Sequence, residues 1–186
     1  MLEEVKKCVS VLREGGTILY PTDTIWGIGC DATNEEAVSK VFDIKHRPSS
    51  KSMIILVAEP HQISFYADVP VVSKELVEYS ELPLTIIYPK AKGIAKSLIA
   101  EDGSIAIRVV KDEFCKMLIH TLRKPLVSTS ANISGEPAPV IFDEIDEAIK
   151  NKVDYVVNLR QHETKKSPPS RIIKIEMDGT IEIIRK

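Results

Sequence analysis

Lys45, Arg47 and Lys51 place three fixed positive charges within seven residues, and Pro48, Ser49 and Ser50 stop the preceding helix beside an apolar run. Cations that converge at a strand edge can hold the phosphates of a nucleotide. One helix earlier stands Pro21-Thr22-Asp23-Thr24-Ile25-Trp26-Gly27-Ile28-Gly29, read as a loop whose hydroxyls and glycine amides can surround a small polar ligand. Each segment alone has a plain structural reading. Thr and Asp satisfy their own backbone in turns, and a Lys-x-Arg pair is commonly a solvated helix end favoured by the macrodipole. Together they suggest a site for a nucleotide and a small zwitterion.

Other residues could join that site. Arg108 lies inside the strand-like run 105–110, where a charge either points to solvent or lines a polar cleft. Ser128-Thr129-Ser130-Ala131-Asn132-Ile133-Ser134-Gly135 puts a hydroxyl- and amide-rich turn directly after a strand, the place where open α/β sheets bind ligands. Ser170, Arg185 and Trp26 are weaker signals, and a lone Trp is more often a packing residue than a stacking platform. Several chemistries are set aside. The sequence has no Gly-x-x-x-x-Gly-Lys-Ser/Thr loop, no Gly-x-Gly-x-x-Gly after a strand and no Gly-x-Ser-x-Gly elbow, and its four histidines lack metal-like spacing.

The elements that must position these residues alternate between helix and strand. Leu2, Val5, Val9 and Leu12 repeat at helical spacing until Gly15-Gly16, and residues 17–20 form a short strand. Asn34 is a plausible N-cap for a helix with Glu35 and Glu36 in its first turn. Residues 53–57 read as a central strand covered on both faces. Short helices around 60–66 and 70–80 precede strands at 84–88 and 105–110. A helix at 111–122, a strand at 126–129, a helix at 142–150 and a short strand at 155–157 come next. Residues 160–169 are polar and Pro-rich, a mobile loop. Residues 172–175 and 181–184 flank Asp178-Gly179 as a terminal hairpin.

With 186 residues, 44% hydrophobic and 28% charged, the chain fits one α/β domain spanning 1–186 with no additional C-terminal domain. A net charge of −2 argues against bulk electrostatic binding of nucleic acid, though not against a local basic groove. Cys8, Cys30 and Cys115 read as reduced thiols, no run is long enough to span a membrane, and the charged N-terminus lacks a signal peptide. The expected location is the cytoplasm.

These motifs, in this order, resemble the YrdC-like family of threonylcarbamoyl-AMP synthases. The likeness runs through Pro21 to Gly27, Lys45-x-Arg47-Pro48, Ser104 to Arg108, Ser130-Ala131-Asn132-x-Ser134-Gly135, Pro169-Ser170 and Ile183-Ile184-Arg185. The resemblance implies a twisted mixed sheet with flanking helices around an open, concave, basic cavity. It also implies a nucleotidyl transfer that joins L-threonine, bicarbonate and ATP, with Mg²⁺, into threonylcarbamoyl-AMP and pyrophosphate. The product passes to a tRNA threonylcarbamoyl transferase, and tRNA itself is a further candidate partner. By motif position, Thr24, Arg108, Ser130 and Ser170 fall at the threonine end. Arg47, Lys51, Ser104, Asn132 and Arg185 fall at the ATP end, with Lys45 and Arg47 as the catalytic pair. The metal ligands are not assigned.

The sequence departs from the family pattern at Trp26 (usually Tyr), Leu56 (a ligand-facing His in some members), Val140 (often Thr) and Arg171 (typically Thr). Arg171 therefore either alters the threonine end or edges it as a surface charge. The alternative functions are a non-catalytic RNA-binding module of the same fold and a carbamoyl-transferring relative like the domain within larger hydrogenase-maturation enzymes.

Overall fold

Helix α1 (Leu2–Arg13) buries Val5, Cys8, Val9 and Leu12 on one side. It stops where Gly15 takes φ +74°, a left-handed conformation without steric cost for glycine. The structure is a computed structural model that describes residues 1–48, 53–164 and 167–186. Lys51, an expected phosphate contact, lies outside the described residues, as do Lys165 and Lys166 of the expected 160–169 loop.

Among the described residues, nine strands form one mixed sheet. They are β1 (Ile18–Tyr20), β2 (Gly27–Gly29), β3 (Ile54–Val57), β4 (Leu84–Tyr88), β5 (Ile105–Val109), β6 (Leu126–Ser130), β7 (Tyr155–Val156), β8 (Arg171–Ile175) and β9 (Ile181–Arg185). They pair in the order β7-β1-β2-β6-β3-β5-β4-β8-β9, parallel at β7–β1, β3–β5 and β4–β8 and antiparallel elsewhere. The apolar run expected as a central strand is β3, and its Ile55, Leu56 and Val57 are buried regardless of the face they point to. In β5 the period of two separates Ile105 and Ile107, in the core, from Ala106 and Arg108 on the other face.

Helix α2 (Glu35–Lys45) begins as its cap predicts, with Asn34 Oδ1 accepting from the Ala37 amide at 3.1 Å. It ends at His46, whose φ of +50° turns the chain between Lys45 and Arg47. A 3₁₀ turn (Pro60–Phe65) and α3 (Val71–Tyr79) fill the stretch before β4. Helix α4 (Glu113–Leu122) is capped by Asp112 and packs on α1.

Two segments differ from expectation. Residues 142–150, expected as one helix, divide into a 3₁₀ turn (Phe142–Glu144) and α5 (Glu147–Lys150). Ile145 is extended between them, and Asp146 restarts the chain as an N-cap on the Ala148 amide at 2.7 Å. The second is β2, which the sequence suggests as loop. Its Gly29 is imposed by close approach: a Cβ there would lie 2.3 Å from the Val127 carbonyl oxygen and 2.7 Å from the Tyr20 ring. Tyr20 is fully buried across β2, with its hydroxyl donating to Val127 O at 3.0 Å. Gly29→Ala must therefore push apart β1, β2 and β6. The expected destabilisation is about 1–3 kcal/mol, read as a lower urea midpoint.

Candidate active site

One cleft of about 370 Å³ gathers most of the residues singled out from the sequence. That volume falls in the range of roughly 300–1,000 Å³ usual for small-molecule sites. Its wall includes Thr24 to Gly27, Arg47 after α2, Ala106 and Arg108 of β5, Ser128 to Ser130 of β6, Ser170 and Ile172, and Ile184 and Arg185 of β9. Larger apolar grooves lie beside α3, but the described residues of this cleft's wall include three arginines and no carboxylate.

Arg108 settles the choice left open by the sequence, since it lines the cleft and is only 4% exposed. A buried guanidinium needs partners. Its Nη1 donates to Thr24 Oγ1 at 3.0 Å, and Nη2 lies 3.2 Å from Asp23 Oδ1, an ion pair without a directed hydrogen bond. Nε has no hydrogen-bond partner among the described residues. The Thr22 hydroxyl holds the turn beneath by donating to Ile25 O at 2.8 Å and accepting from the Thr24 amide at 3.0 Å.

Ser170 is buried next to Arg108, because its hydroxyl lies 2.8 Å from Thr85 Oγ1 and Thr85 is the β4 partner of Arg108 in the ladder. Arg185 grips the Ser170 carbonyl oxygen with Nε at 3.0 Å and Nη2 at 2.7 Å. Burial, and then repulsion from Arg108, lowers its pKa from the ordinary guanidinium value. Burial does the same to Arg47.

Lys45 takes a different place from Arg47. It is 1% exposed, lies behind the wall, and donates to the carbonyls of Ser130 and Asn132, while its own carbonyl accepts from the Ser134 amide at 2.8 Å. Asn132 in turn donates to Ile133 O at 3.0 Å and Glu136 O at 2.7 Å. Lys45 and Asn132 thus fix the 130–136 turn rather than line the cleft. Ser104, also outside the wall, is buried near Asp102, whose carboxyl is held at about 2 by hydrogen bonds from Ser104 and Lys174.

Desolvation, helped by Arg47, pulls the Lys45 pKa down to about 8 from 10.5. Between those values the unfolded chain binds more protons than the folded one, so this group adds stability as pH rises. Lys45→Met removes that dependence and takes the lysine donor from two carbonyls, of which Ser130 O keeps the Asn132 amide at 3.0 Å. The variant is expected to lose about 1–3 kcal/mol. Its deficit against wild type should widen from pH 8 to 10, as followed by urea titration.

The departures now have positions. Arg171 is exposed on the opposite face of β8, in the groove with Leu84 and α3, while Ser170 and Ile172 face the cleft. It is a surface charge and does not line the cleft. Leu56 is fully buried and pairs with Arg108 across β3–β5, giving an apolar neighbour where a His contact would be polar. Trp26 forms part of the wall and packs against Phe142 at a tilt of 52°, with ring centres 4.8 Å apart. Val140 lies outside the wall, with its amide on Glu144.

Sequence reasoning missed Asp23 and Thr85. Asp23 stands inside the first motif, and a Thr within Leu84-Thr85-Ile86-Ile87-Tyr88 is the one polar residue of an otherwise apolar strand next to a buried Arg. Among the described residues, no group of three or more His, Cys, Asp or Glu is placed to hold a metal, and no helix is long and apolar enough to cross a membrane.

Comparisons with known proteins show the family and the fold. Residues 10–186 match the Sua5/YciO/YrdC family, described as "Telomere recombination". A Methanocaldococcus jannaschii protein named "Putative threonylcarbamoyl-AMP synthase" is 40% identical over 97% of this chain and 86% of its own length. The crystal structure of P. abyssi Sua5 complexed with L-threonine superposes with TM-score 0.82 at 26% identity, over 92% of this chain and 50% of that one. The chain thus spans about half the length of the P. abyssi protein. E. coli YciO shares the fold with TM-score 0.87 at 22% identity, over 100% of this chain and 90% of its own. The chain belongs to the Sua5/YciO/YrdC family.

Proposed function

We propose that the chain is a threonylcarbamoyl-AMP synthase, joining L-threonine, bicarbonate and ATP with release of pyrophosphate. The observation that carries this reading is the cleft wall, which combines three arginines with the hydroxyls of Thr24, Ser128, Thr129, Ser130 and Ser170 and has no carboxylate among its described residues. Such a wall suits two anionic groups, a carboxylate and a triphosphate. The name of the M. jannaschii relative and the L-threonine in the P. abyssi structure support the same substrates.

In this scheme the threonine carboxylate lies against Arg108, whose unpartnered Nε is a donor in reserve, with Thr24, Ser130 and Ser170 completing that end. The threonine nitrogen bonds to the carbon of bicarbonate, releasing water and a proton, and leaves a carbamate. Carbamates are short-lived in water, so positioning and water exclusion matter more than a dedicated base. A carbamate oxygen then attacks the α-phosphorus, and the bridging oxygen departs with pyrophosphate. Arg47 and Arg185, with Lys51, offset the negative charge that accumulates, while Lys45 and Asn132 hold the turn that carries Ser130. Ser104 is assigned to the ATP end by motif position alone.

Mg²⁺ is proposed to arrive on the triphosphate. It keeps water ligands and binds through substrate phosphates plus a carboxylate or two. The described wall offers no carboxylate, so no protein ligand is assigned to it. The product would be consumed in the cytoplasm by a tRNA threonylcarbamoyl transferase. The test is incubation with ¹³C-bicarbonate, L-threonine and ATP, then mass spectrometry of the products. A ¹³C-labelled threonylcarbamoyl-AMP is the expected product, and unlabelled AMP alone would contradict the reading.

A further inference from the structure

The segment after β7 carries a guanidinium that the proposed chemistry does not use. Arg160 lies outside the cleft wall and adopts φ +60°, a left-handed conformation uncommon for a residue with a side chain. Its side chain reaches three acceptors in three segments: Asp112 Oδ2 at 2.7 Å, Glu163 Oε2 at 2.8 Å and the carbonyl oxygen of Thr22 at 3.1 Å. Asp112 is itself fixed, because its side chain is 14% exposed and its other oxygen caps α4 by accepting from the Cys115 amide at 2.9 Å. Arg160 therefore ties the Thr22 carbonyl to the start of a core helix.

The orientation of that carbonyl bears on Asp23 and Thr24, the two residues after it. The Thr22 hydroxyl is already committed within its own turn, to Ile25 O, the Thr24 amide and Thr24 Oγ1. Asp23 pairs with Arg108 Nη2 and accepts from the Lys111 amide at 3.3 Å. Thr24 accepts from Arg108 Nη1. Rotation of the Thr22 peptide would displace both partners of Arg108 together and so misplace the guanidinium that they orient. Arg185 is anchored separately, on Ser170.

We infer that Arg160 is a positioning residue for the threonine end of the cleft: by clamping the Thr22 carbonyl to the N-terminus of α4, it sets Thr24 and Arg108 without touching substrate. The identity of the ligand rests on the synthase reading. The test compares wild type, Arg160→Ala, Arg160→Lys and Glu163→Gln by steady-state pyrophosphate release with threonine and ATP varied separately. Direct titration with L-threonine, monitored by fluorescence of Trp26, the single tryptophan of the chain, accompanies the kinetics.

Arg160→Ala is expected to raise the threonine KM and Kd about tenfold, with the ATP KM and kcat within about twofold. Arg160→Lys should recover part of the loss through Asp112, and Glu163→Gln should stay within about twofold, since it leaves Thr22 held. Unchanged threonine constants in both Arg160 variants would overturn the inference. So would equal losses for threonine and ATP, which mark a general structural role. If wild type binds threonine and Arg160→Ala weakens it, but no pyrophosphate is released, the synthase reading fails and the role of Arg160 stands. Wild type that binds no threonine overturns both.

Discussion

Arg108→Met is expected to lower kcat/KM for threonine by at least about 10²-fold, because the variant loses a buried, hydrogen-bonded cation where we propose that the carboxylate binds. It should also lose about 3–5 kcal/mol of stability, since Asp23 remains behind as an uncompensated, nearly buried carboxylate. The two effects separate in the double variant Arg108→Met/Asp23→Asn. Neutralising Asp23 should restore much of the urea midpoint and none of the threonine affinity. A double variant that recovers turnover along with stability would mean Arg108 acts only as a structural partner for Asp23.

Arg47→Ala has the second large expected effect, a fall in kcat of about 10²–10³-fold with an unchanged far-UV circular dichroism spectrum. Its side chain lines the cleft near the 130–136 turn, half-buried, and the backbone amide of Arg47 remains bonded to Phe42 O at 3.0 Å. The loss should persist at saturating ATP, since the charge it offsets grows as pyrophosphate departs. A variant with full kcat and a raised ATP KM would restrict Arg47 to ground-state binding.

Local rules account for what the sequence made legible. The Asn34 cap, the apolar run of β3, the strand around Arg108 and the terminal hairpin depend on residues near one another, and each stands where expected. β2 was illegible because Gly27-Ile28-Gly29 has little strand preference. Its Gly29 answers to the Tyr20 ring and the Val127 carbonyl, contacts that exist only in three dimensions.

The cleft shows the same division. Motif order brought Thr24, Arg47, Arg108, Ser130, Ser170 and Arg185 to one wall. It could not separate Lys45 from Arg47, because that depends on the left-handed turn at His46, which sends one cation behind the 130–136 turn and the other to the wall. Nor could it place Arg171, whose face is set by the register of β8 on β4. Arg160 sat in a stretch read as a mobile loop. Its partners at Thr22 and Asp112 are 138 and 48 residues distant and become visible only in three dimensions.

The most direct measurement is pyrophosphate release from ATP by the full chain, with L-threonine and bicarbonate each omitted in turn and L-serine substituted for threonine. Release is expected only when threonine and bicarbonate are both present, with serine markedly slower. Release from ATP at the same rate without threonine, or none at all from a protein that binds both ATP and threonine, would contradict the synthase reading.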